Sequence, residues 1–284
     1  VSISSVSGAD AAESGSQSVT ITITENESSP TVTLATSASS IAENAGSSLT
    51  LTATLSGATY QDVTVGIGTS GTATEGTDYT DGSGVINDIT ISAGATTGTT
   101  TLDPTDDNVY EGDETATVDI DNVSGKSNVT ENGTQQVSIT ISENESAPTV
   151  TLATSATSIA ENAGSSLTLT ATLSGATTAD VTVSLSTSGT ATEGTDYTDG
   201  SGNLDDITIS AGSTTGTVSF TPTDDSVYEG NETATISISS VSGASASISG
   251  GSQSVTLTIN ENESAPTVSL TVSATSIAEN AGSS

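Results

Sequence analysis

Cysteine, histidine, methionine and tryptophan are absent, phenylalanine occurs once, and one lysine with no arginine faces 35 Asp and Glu residues. Each absence closes a class of chemistry. Without Cys and His there is no thiolate nucleophile, no Ser–His pair and no imidazole metal site. Without clustered Lys and Arg there is no footprint for nucleic-acid phosphates or for an anionic membrane surface. Aromatics at 2% leave nothing to line a sugar-stacking cleft, so paired carboxylates have no setting for glycoside hydrolysis, and an enzyme is not expected. No stretch approaches the ~18 apolar residues of a membrane span. Disulfides contribute no stability. Carboxylates, hydroxyls, amides and backbone carbonyls remain, at a formal net charge of −34. Their natural partner is a hard cation, Ca²⁺ above all.

A hydrophobic content of 31% at this charge is the composition of a disordered chain, but the placement of the apolar residues argues for order. They alternate with Thr and Ser, as in Leu49-Thr50-Leu51-Thr52-Ala53-Thr54-Leu55 and Val137-Ser138-Ile139-Thr140-Ile141. Period two with Thr on the opposite face marks half-buried strands, and no amphipathic helical stretch competes. The class is all-β.

The sequence also repeats itself. The run from Pro30 to Ser37 returns at Pro148 to Ser155 and, varied, from Pro266, a spacing of 118 residues. Ile41-Ala42-Glu43-Asn44-Ala45-Gly46 returns at Ile159 and Ile277 with the same spacing. Val19 to Ile23 parallels Val137 to Ile141 and Val255 to Ile259. The expected division is 1–29 as the end of one repeat, 30–147 and 148–265 as complete repeats, and 266–284 as the start of another. The chain therefore reads as a piece of a longer tandem array. A unit of this size fits one β-sandwich rather than a solenoid coil. Strands are expected near 31–36, 48–55, 62–68, 85–91, 97–102, 114–120 and 135–141, separated by Gly and Asp/Asn clusters. Seven strands favour a sandwich over a closed barrel. The joint between units, from Glu143 to Pro148, is nearly nil.

Acidic residues concentrate in four places per unit. In the first these are Glu43, Asp78, the run Asp106-Asp107-Asn108-Val109-Tyr110-Glu111-Gly112-Asp113-Glu114, and Glu143-Asn144-Glu145. In the second they are Glu161, Asp196, the run Asp224 to Glu232, and Glu261-Asn262-Glu263. Most fall in expected turns or strand ends, which up-and-down strands can gather at one end of a sandwich. Carboxylates ~4 Å apart repel by roughly 1 kcal/mol in water and by several near a protein surface. With only Lys126 to offset them, a gathered set would open its loops, raise its pKa values or bind a divalent cation.

The sequence Gly-Thr-Asp78-Tyr79, then a hairpin, then Asp106-Asp107-x-x-Tyr110-Glu111-Gly112-x-Glu114, closed by a strand ending in an acidic triplet, resembles the Calx-β domain. The resemblance covers each whole unit. It implies tandem seven-stranded, immunoglobulin-like sandwiches that bind Ca²⁺ at one tip, as in sodium–calcium exchangers, integrin β4 and large microbial surface proteins. It implies as ligands Glu43, Asp78, Asp106, Asp107, the Val109 carbonyl, Glu111, Glu114, Glu143 and Glu145. In the second unit these become Glu161, Asp196, Asp224, Asp225, Val227, Glu229, Glu232, Glu261 and Glu263. The closing triplet is Asp-rich in regulatory members and Glu-Asn-Glu here, which points to one or two ions per seam rather than a larger cluster.

Plainer readings stand beside these. The Asp106 to Glu114 run is also a solvated acidic loop, Ile41 to Asn44 a polar turn, and Glu143 to Glu145 a hydrophilic linker. Tyr79, Tyr110, Tyr197 and Tyr228 read as anchors at the core edge. The Thr-rich faces read as exposed β-formers rather than an ice- or glycan-binding array. An EF-hand loop fails because Tyr110 stands where Asp or Asn is required. The leading expectation is a calcium-stabilised structural segment of an extracellular stalk, adhesin shaft, sheath or filament. Its partners would be calcium, neighbouring repeats and other copies of itself. The alternative is a cell-surface binding module that recognises glycan or another cell through its loops.

Overall fold

Alternating Thr and aliphatic residues form strands that bury one face each, and in both units these strands close over an apolar layer. The computed structural model describes every residue except Ala274, Ile277, Asn280 and 281–284. The third copy of the Ile-Ala-Glu-Asn turn thus lies partly outside the described residues. In the first unit the strands are β1 (Thr31–Thr36), β2 (Ser40–Ala42), β3 (Leu49–Leu55), β4 (Val63–Gly71), β5 (Tyr79–Thr80) and β6 (Ile89–Ile91). They continue with β7 (Thr97–Pro104), β8 (Val109–Tyr110), β9 (Glu114–Gly125), β10 (Thr130–Glu131) and β11 (Gln136–Ser142). The second unit repeats the plan as β12 (Thr149–Thr154), β13 (Ser158–Ala160), β14 (Leu167–Leu173), β15 (Ala176–Thr177), β16 (Val181–Gly189) and β17 (Tyr197–Thr198). It ends with β18 (Ile207–Ile209), β19 (Thr215–Pro222), β20 (Glu232–Ser242), β21 (Ser247–Ile248) and β22 (Ser254–Asn260). There is no α-helix among the described residues, and so none long and apolar enough to cross a membrane.

Each unit is a pair of sheets, ordered β10-β1-β3-β7-β5 and β2-β11-β9-β4-β6 in the first. Six strands of six to twelve residues carry the sandwich, and β2, β5, β6, β8 and β10, of two or three residues, are short additions at its edges and loops. Burial alternates as the sequence dictates: Leu49, Leu51, Ala53 and Leu55 of β3 point inward, the threonines between them outward. Against them pack Val63 and Val65 of β4, Ala116 and Val118 of β9, and Ile139 and Ile141 of β11. Tyr79 and Tyr197 are core residues, and Tyr197 stacks on Phe220 with ring centroids 4.6 Å apart.

A glycine turns the chain toward the acidic end. Gly71 closes β4 at φ +127°, where a Cβ would meet the Thr115 carbonyl oxygen at 2.0 Å. That oxygen instead accepts the Thr72 and Ala73 N–H groups at 2.9 and 3.1 Å. Gly189 does the same against Thr233. Only glycine has both the dihedral freedom and the space for this approach.

The two units touch through a two-residue parallel pairing, Val109 with Ala176 and Tyr110 with Thr177. The acidic loop of the first unit is therefore strand-paired to the second. At the other end, Val1 and Val19 exchange backbone hydrogen bonds at 2.8 Å, matching the register of Ile236 and Val255 in the second unit. Val19, Ile21 and Ile23 are nevertheless exposed.

Candidate metal centre

Strand pairing, not sequence proximity, gathers the carboxylates. β2 runs parallel to β11 with Ala42 beside Ser142, so the residues that follow, Glu43 and Glu143, leave the sheet together. The Glu43 N–H donates to the Ser142 carbonyl at 3.0 Å and fixes this exit. β9 runs antiparallel to β11 with Glu114 opposite Ile141, which brings Glu114 to the same end. β5 pairs with the end of β7, and the Thr105 N–H donates to the Asp78 carbonyl at 2.9 Å, which ties the Asp78 turn to the acidic loop. Asp78 shapes its own turn, its Oδ2 accepting the Thr74 N–H at 2.6 Å.

Two groups of three carboxylates result in each unit. Glu43, Glu143 and Glu145 form one, Asp78, Glu111 and Glu114 the other, with oxygens of each group within 4.8 Å of one another. The second unit repeats them as Glu161, Glu261, Glu263 and as Asp196, Glu229, Glu232. In the first unit, Glu43, Glu143, Asp78, Glu111 and Glu114 line one small cavity together with Thr105 and Gly112. Its volume of about 10 Å³ is the room of a single water molecule.

The remaining candidates border these groups. Asp107 directs one carboxylate oxygen to the Val109 N–H at 2.6 Å and donates its own N–H to Glu43 Oε1 at 3.2 Å. Asp225 repeats both contacts with Val227 and Glu161. Glu145 and Glu263 are raised above the usual carboxylate range first by hydrogen bonding to Glu143 and Glu261 and last by the charges of Asp106 and Asp224, which stand outside the groups of three. Val109 lies in β8 and pairs with Ala176, while Val227 is exposed.

The electrostatics split the carboxylates into two kinds. Glu143 is pushed down to about 2: burial opposes its charge, but N–H groups of Glu111, Glu145 and Gly112 outweigh burial. Those of Glu111 and Gly112 reach its Oε2 at 2.6 and 2.8 Å. Glu261 likewise falls to about 2 through the N–H groups of Glu263, Glu229 and Gly230. Glu43 rises to about 7, first through burial and then through Glu143, Glu145 and Asp107 around it. Glu114 and Glu232 also rise to about 7, through burial and then Asp78 and Asp196 beside them. One fixed anion among neighbours that hold protons is what a carboxylate cluster does when its own charges are the only ones present.

Whether a cation suits the cluster is decided by atoms without partners. Glu145 Oε2 and Glu263 Oε2 are buried and accept no hydrogen bond. A buried acceptor of this kind costs about 1–3 kcal/mol unless something meets it. Every side-chain donor in the groups is a carboxylate oxygen, the set a hard cation of flexible coordination prefers. The residues fit Ca²⁺.

One structural acid in each unit escapes sequence reasoning. Glu75 takes the Thr69 hydroxyl at 2.8 Å and the Ile86 N–H, and Glu193 repeats this with Thr187 and Leu204, bracing the hairpin behind Asp78 and Asp196. Asp113 accepts the Glu143 N–H at 3.0 Å, and Asn231 accepts the Glu261 N–H at the same distance. An oxygen suffices there, so the exchange of Asp for Asn between units changes nothing in the contact. The 118-residue recurrence of Glu75 at Glu193 is a signal that could have marked the brace.

Among known proteins, no curated sequence matches the chain. Solved structures with a related build include CBD12 from CALX1.2, at 16% identity and TM-score 0.33, covering 81% of this chain and 100% of that one. The adhesin InvE of Yersinia pseudotuberculosis matches at 16% identity and TM-score 0.35, covering 81% of this chain and 58% of its own. Invasin, described as a bacterial integrin-binding protein, matches at 18% identity and TM-score 0.35, covering 82% of this chain and 39% of its own. The family model of the Calx-beta domain matches residues 25–145 and again 143–263. The two matches take in both sandwiches and all four groups of carboxylates, and the chain belongs to the Calx-β domain family as a tandem pair.

Proposed function

We propose that the chain is a segment of a long extracellular array, in which sandwiches 30–147 and 148–265 are structural blocks held in line by calcium at their acidic ends. Residues 1–29 close a preceding block and 266–284 open a following one. The observation that carries this reading is the position of β8. Val109 and Tyr110 lie between Asp107 and Glu111 in the acidic loop, and the same two residues pair with the next unit. Order in the acidic cluster and order at the seam are therefore one property.

Glu43, Glu143 and Glu145 would hold one ion, and Asp78, Glu111 and Glu114 a second, with Asp106 and Asp107 at the border. Glu161, Glu261 and Glu263, and Asp196, Glu229 and Glu232, would do so in the second unit beside Asp224 and Asp225. When bound, calcium supplies the positive charge that lets these carboxylates ionise side by side. The protein's own part is to orient them. Glu143 is fixed by four backbone N–H groups, from Glu111, Gly112, Asn144 and Glu145, and Asp107 holds the loop in its turn through the Val109 N–H. With the acids ionised and uncompensated, repulsion falls on the loop that carries β8, and the seam loosens.

A recognition module would show its specificity in loops that differ between units. Here the acidic runs differ only at Asn108/Ser226 and Asp113/Asn231, which suits a repeated building block. Small-angle scattering with and without chelator tests the reading: the calcium form should be the more extended and the less variable in dimension. Identical scattering curves in both conditions would refute it.

A further inference from the structure

One dipeptide sets a side-chain amide beside a peptide nitrogen that nothing holds. Asn132-Gly133 is the only Asn-Gly pair of the sequence, and Gly250-Gly251 takes its place in the second unit. Both residues are exposed in the turn from β10 to β11. Among the described residues the Asn132 side chain has no hydrogen-bond partner and the Gly133 N–H no acceptor. The backbone of Asn132, by contrast, is pinned. Its N–H donates to the Val32 carbonyl at 2.9 Å, and its carbonyl accepts Gln135 Nε2 at 2.5 Å. Gln135 Oε1 in turn accepts the Leu34 N–H at 3.3 Å.

Comparable turns elsewhere are locked. Asp81 Oδ1 accepts the N–H and the hydroxyl of Ser83 at 2.8 and 2.5 Å, and the Gly82 N–H donates to the Thr80 hydroxyl at 2.9 Å. Asp199 Oδ1 accepts the same two groups of Ser201 at 2.7 and 2.8 Å, and the Gly200 N–H donates to the Thr198 hydroxyl at 3.0 Å. After Asn44 and Asn162, the N–H groups of Ala45 and Ala163 donate to the carbonyls of Ala42 and Ala160, each at 3.1 Å. Ring closure between a side chain and the next peptide nitrogen needs both free. Of these turns, Asn132-Gly133 alone offers both, and glycine sets no side chain beside the nitrogen.

We infer that Asn132-Gly133 is a site of self-modification, where the folded chain converts its own asparagine to aspartate and isoaspartate. The Gly133 nitrogen gives its proton to hydroxide from solvent and bonds to Asn132 Cγ. The Cγ–Nδ2 bond breaks, and the nitrogen leaves as ammonia after taking a proton from water. Water then opens the succinimide at one of its two carbonyls. Attack at Cγ yields aspartate; attack at the main-chain carbonyl routes the backbone through the side chain, one carbon longer. Either product adds a negative charge next to Glu131. The longer one also moves the carbonyl that Gln135 meets, and so loosens the pairing of Thr130 and Glu131 with Thr31 and Val32. The second unit has no amide there to convert. The inference depends neither on calcium nor on the array reading.

Ageing the folded full chain at pH 8 and mapping its peptides by mass spectrometry tests this. The Asn132 peptide should gain the mass of an amide exchanged for an acid about tenfold faster than those of Asn122 and Asn128, a barrier lower by about 1.4 kcal/mol. Isoaspartate methyltransferase should label the product. Asn132→Gln, which must close a larger ring, should release no ammonia over the same time. Conversion of Asn132 only in the urea-unfolded chain, or no faster than Asn122 and Asn128 in the folded one, overturns the proposal. So does isoaspartate at Asp81 or Asp199 forming as fast. In the aged chain, calorimetry should find the first unit's transition lowered and the second's in place, with neither moved in aged Asn132→Gln. A converted chain with both transitions unmoved overturns the loosening of β10.

Discussion

Removing calcium should cost the chain more at pH 7.5 than at pH 5, because carboxylates and ion compete through protons. Two full charges within 4.8 Å of each other repel by about 3 kcal/mol or more at an effective dielectric constant near 20. Three such pairs in one group make full ionisation without a counter-charge prohibitive. The metal-free chain answers by holding protons on Glu43, Glu114 and Glu232, whose pKa values rise to about 7 from 4.5. A raised carboxylate pKa means that the folded chain binds protons the unfolded chain has lost. Metal-free stability should therefore fall as pH rises from 4.5 to 7, by about 1–2 kcal/mol per group after allowance for solvent screening. The depressed Glu143 and Glu261, at about 2, act in the other direction and only below pH 4.5, where their protonation removes stability. At pH 7.5, calcium at a hundred times its dissociation constant adds about 2.7 kcal/mol per site. For units of this size that is a rise in Tm of about 10 °C. At pH 5 the rise should shrink to a few degrees, since ion binding must displace protons. Calorimetry in calcium and in chelator at the two pH values measures all four corners. A Tm indifferent to chelator at pH 7.5, or a metal-free Tm that climbs between pH 5 and 7, would refute the reasoning.

Single substitutions separate the parts. Glu43→Gln keeps the acceptor for the Asp107 N–H but loses the charge; at pH 8 the metal-free chain should gain about 1 kcal/mol. Calcium affinity by titration calorimetry should fall about tenfold or more in the same variant, equivalent to 1.4 kcal/mol. Glu143→Ala strips four N–H groups of their acceptor, and should cost the first unit about 1–3 kcal/mol even in chelator, read from denaturant unfolding. Phe220→Ala removes a fully buried ring stacked on Tyr197 and should cost about 3–5 kcal/mol. Because each unit has its own core, calorimetry should then show one transition lowered and the other in place.

The sandwich was legible because burial in a strand writes itself as alternation. Most long strands lie where Thr and aliphatic residues alternate, and β3 matches its run at Leu49 to Leu55, while β7 buries Leu102 in an otherwise Thr- and Gly-rich stretch. The expected strand at 85–91 contracts to Ile89–Ile91. Val85 is exposed, and the segment before Ile89 is held as a turn by Glu75, Asp81 and Asp88, which accept the N–H groups of Ile86, Asn87 and Ile67. Strands of two or three residues, such as β2 and β8, carry no period to read. The acidic residues were legible as a set because they repeat. Their division into Glu43–Glu143–Glu145 and Asp78–Glu111–Glu114 was not, since it follows from β2 lying parallel to β11 across about 100 residues of chain. The pairing of Val109 with Ala176 belongs to two units at once, and neither sequence alone implies it.

The parallel alignment of Ser40–Ala42 with Thr140–Ser142 also decides how a unit resists tension. The chain enters the sandwich through β1, reaches the first of these segments next, and leaves just after the second, so stretching draws the two in opposite directions along their length. Their backbone bonds are loaded sideways and together, and cannot be peeled off one by one from an end. The fastening that places Glu43 beside Glu143 is also a clasp that tension drawn along the chain would load.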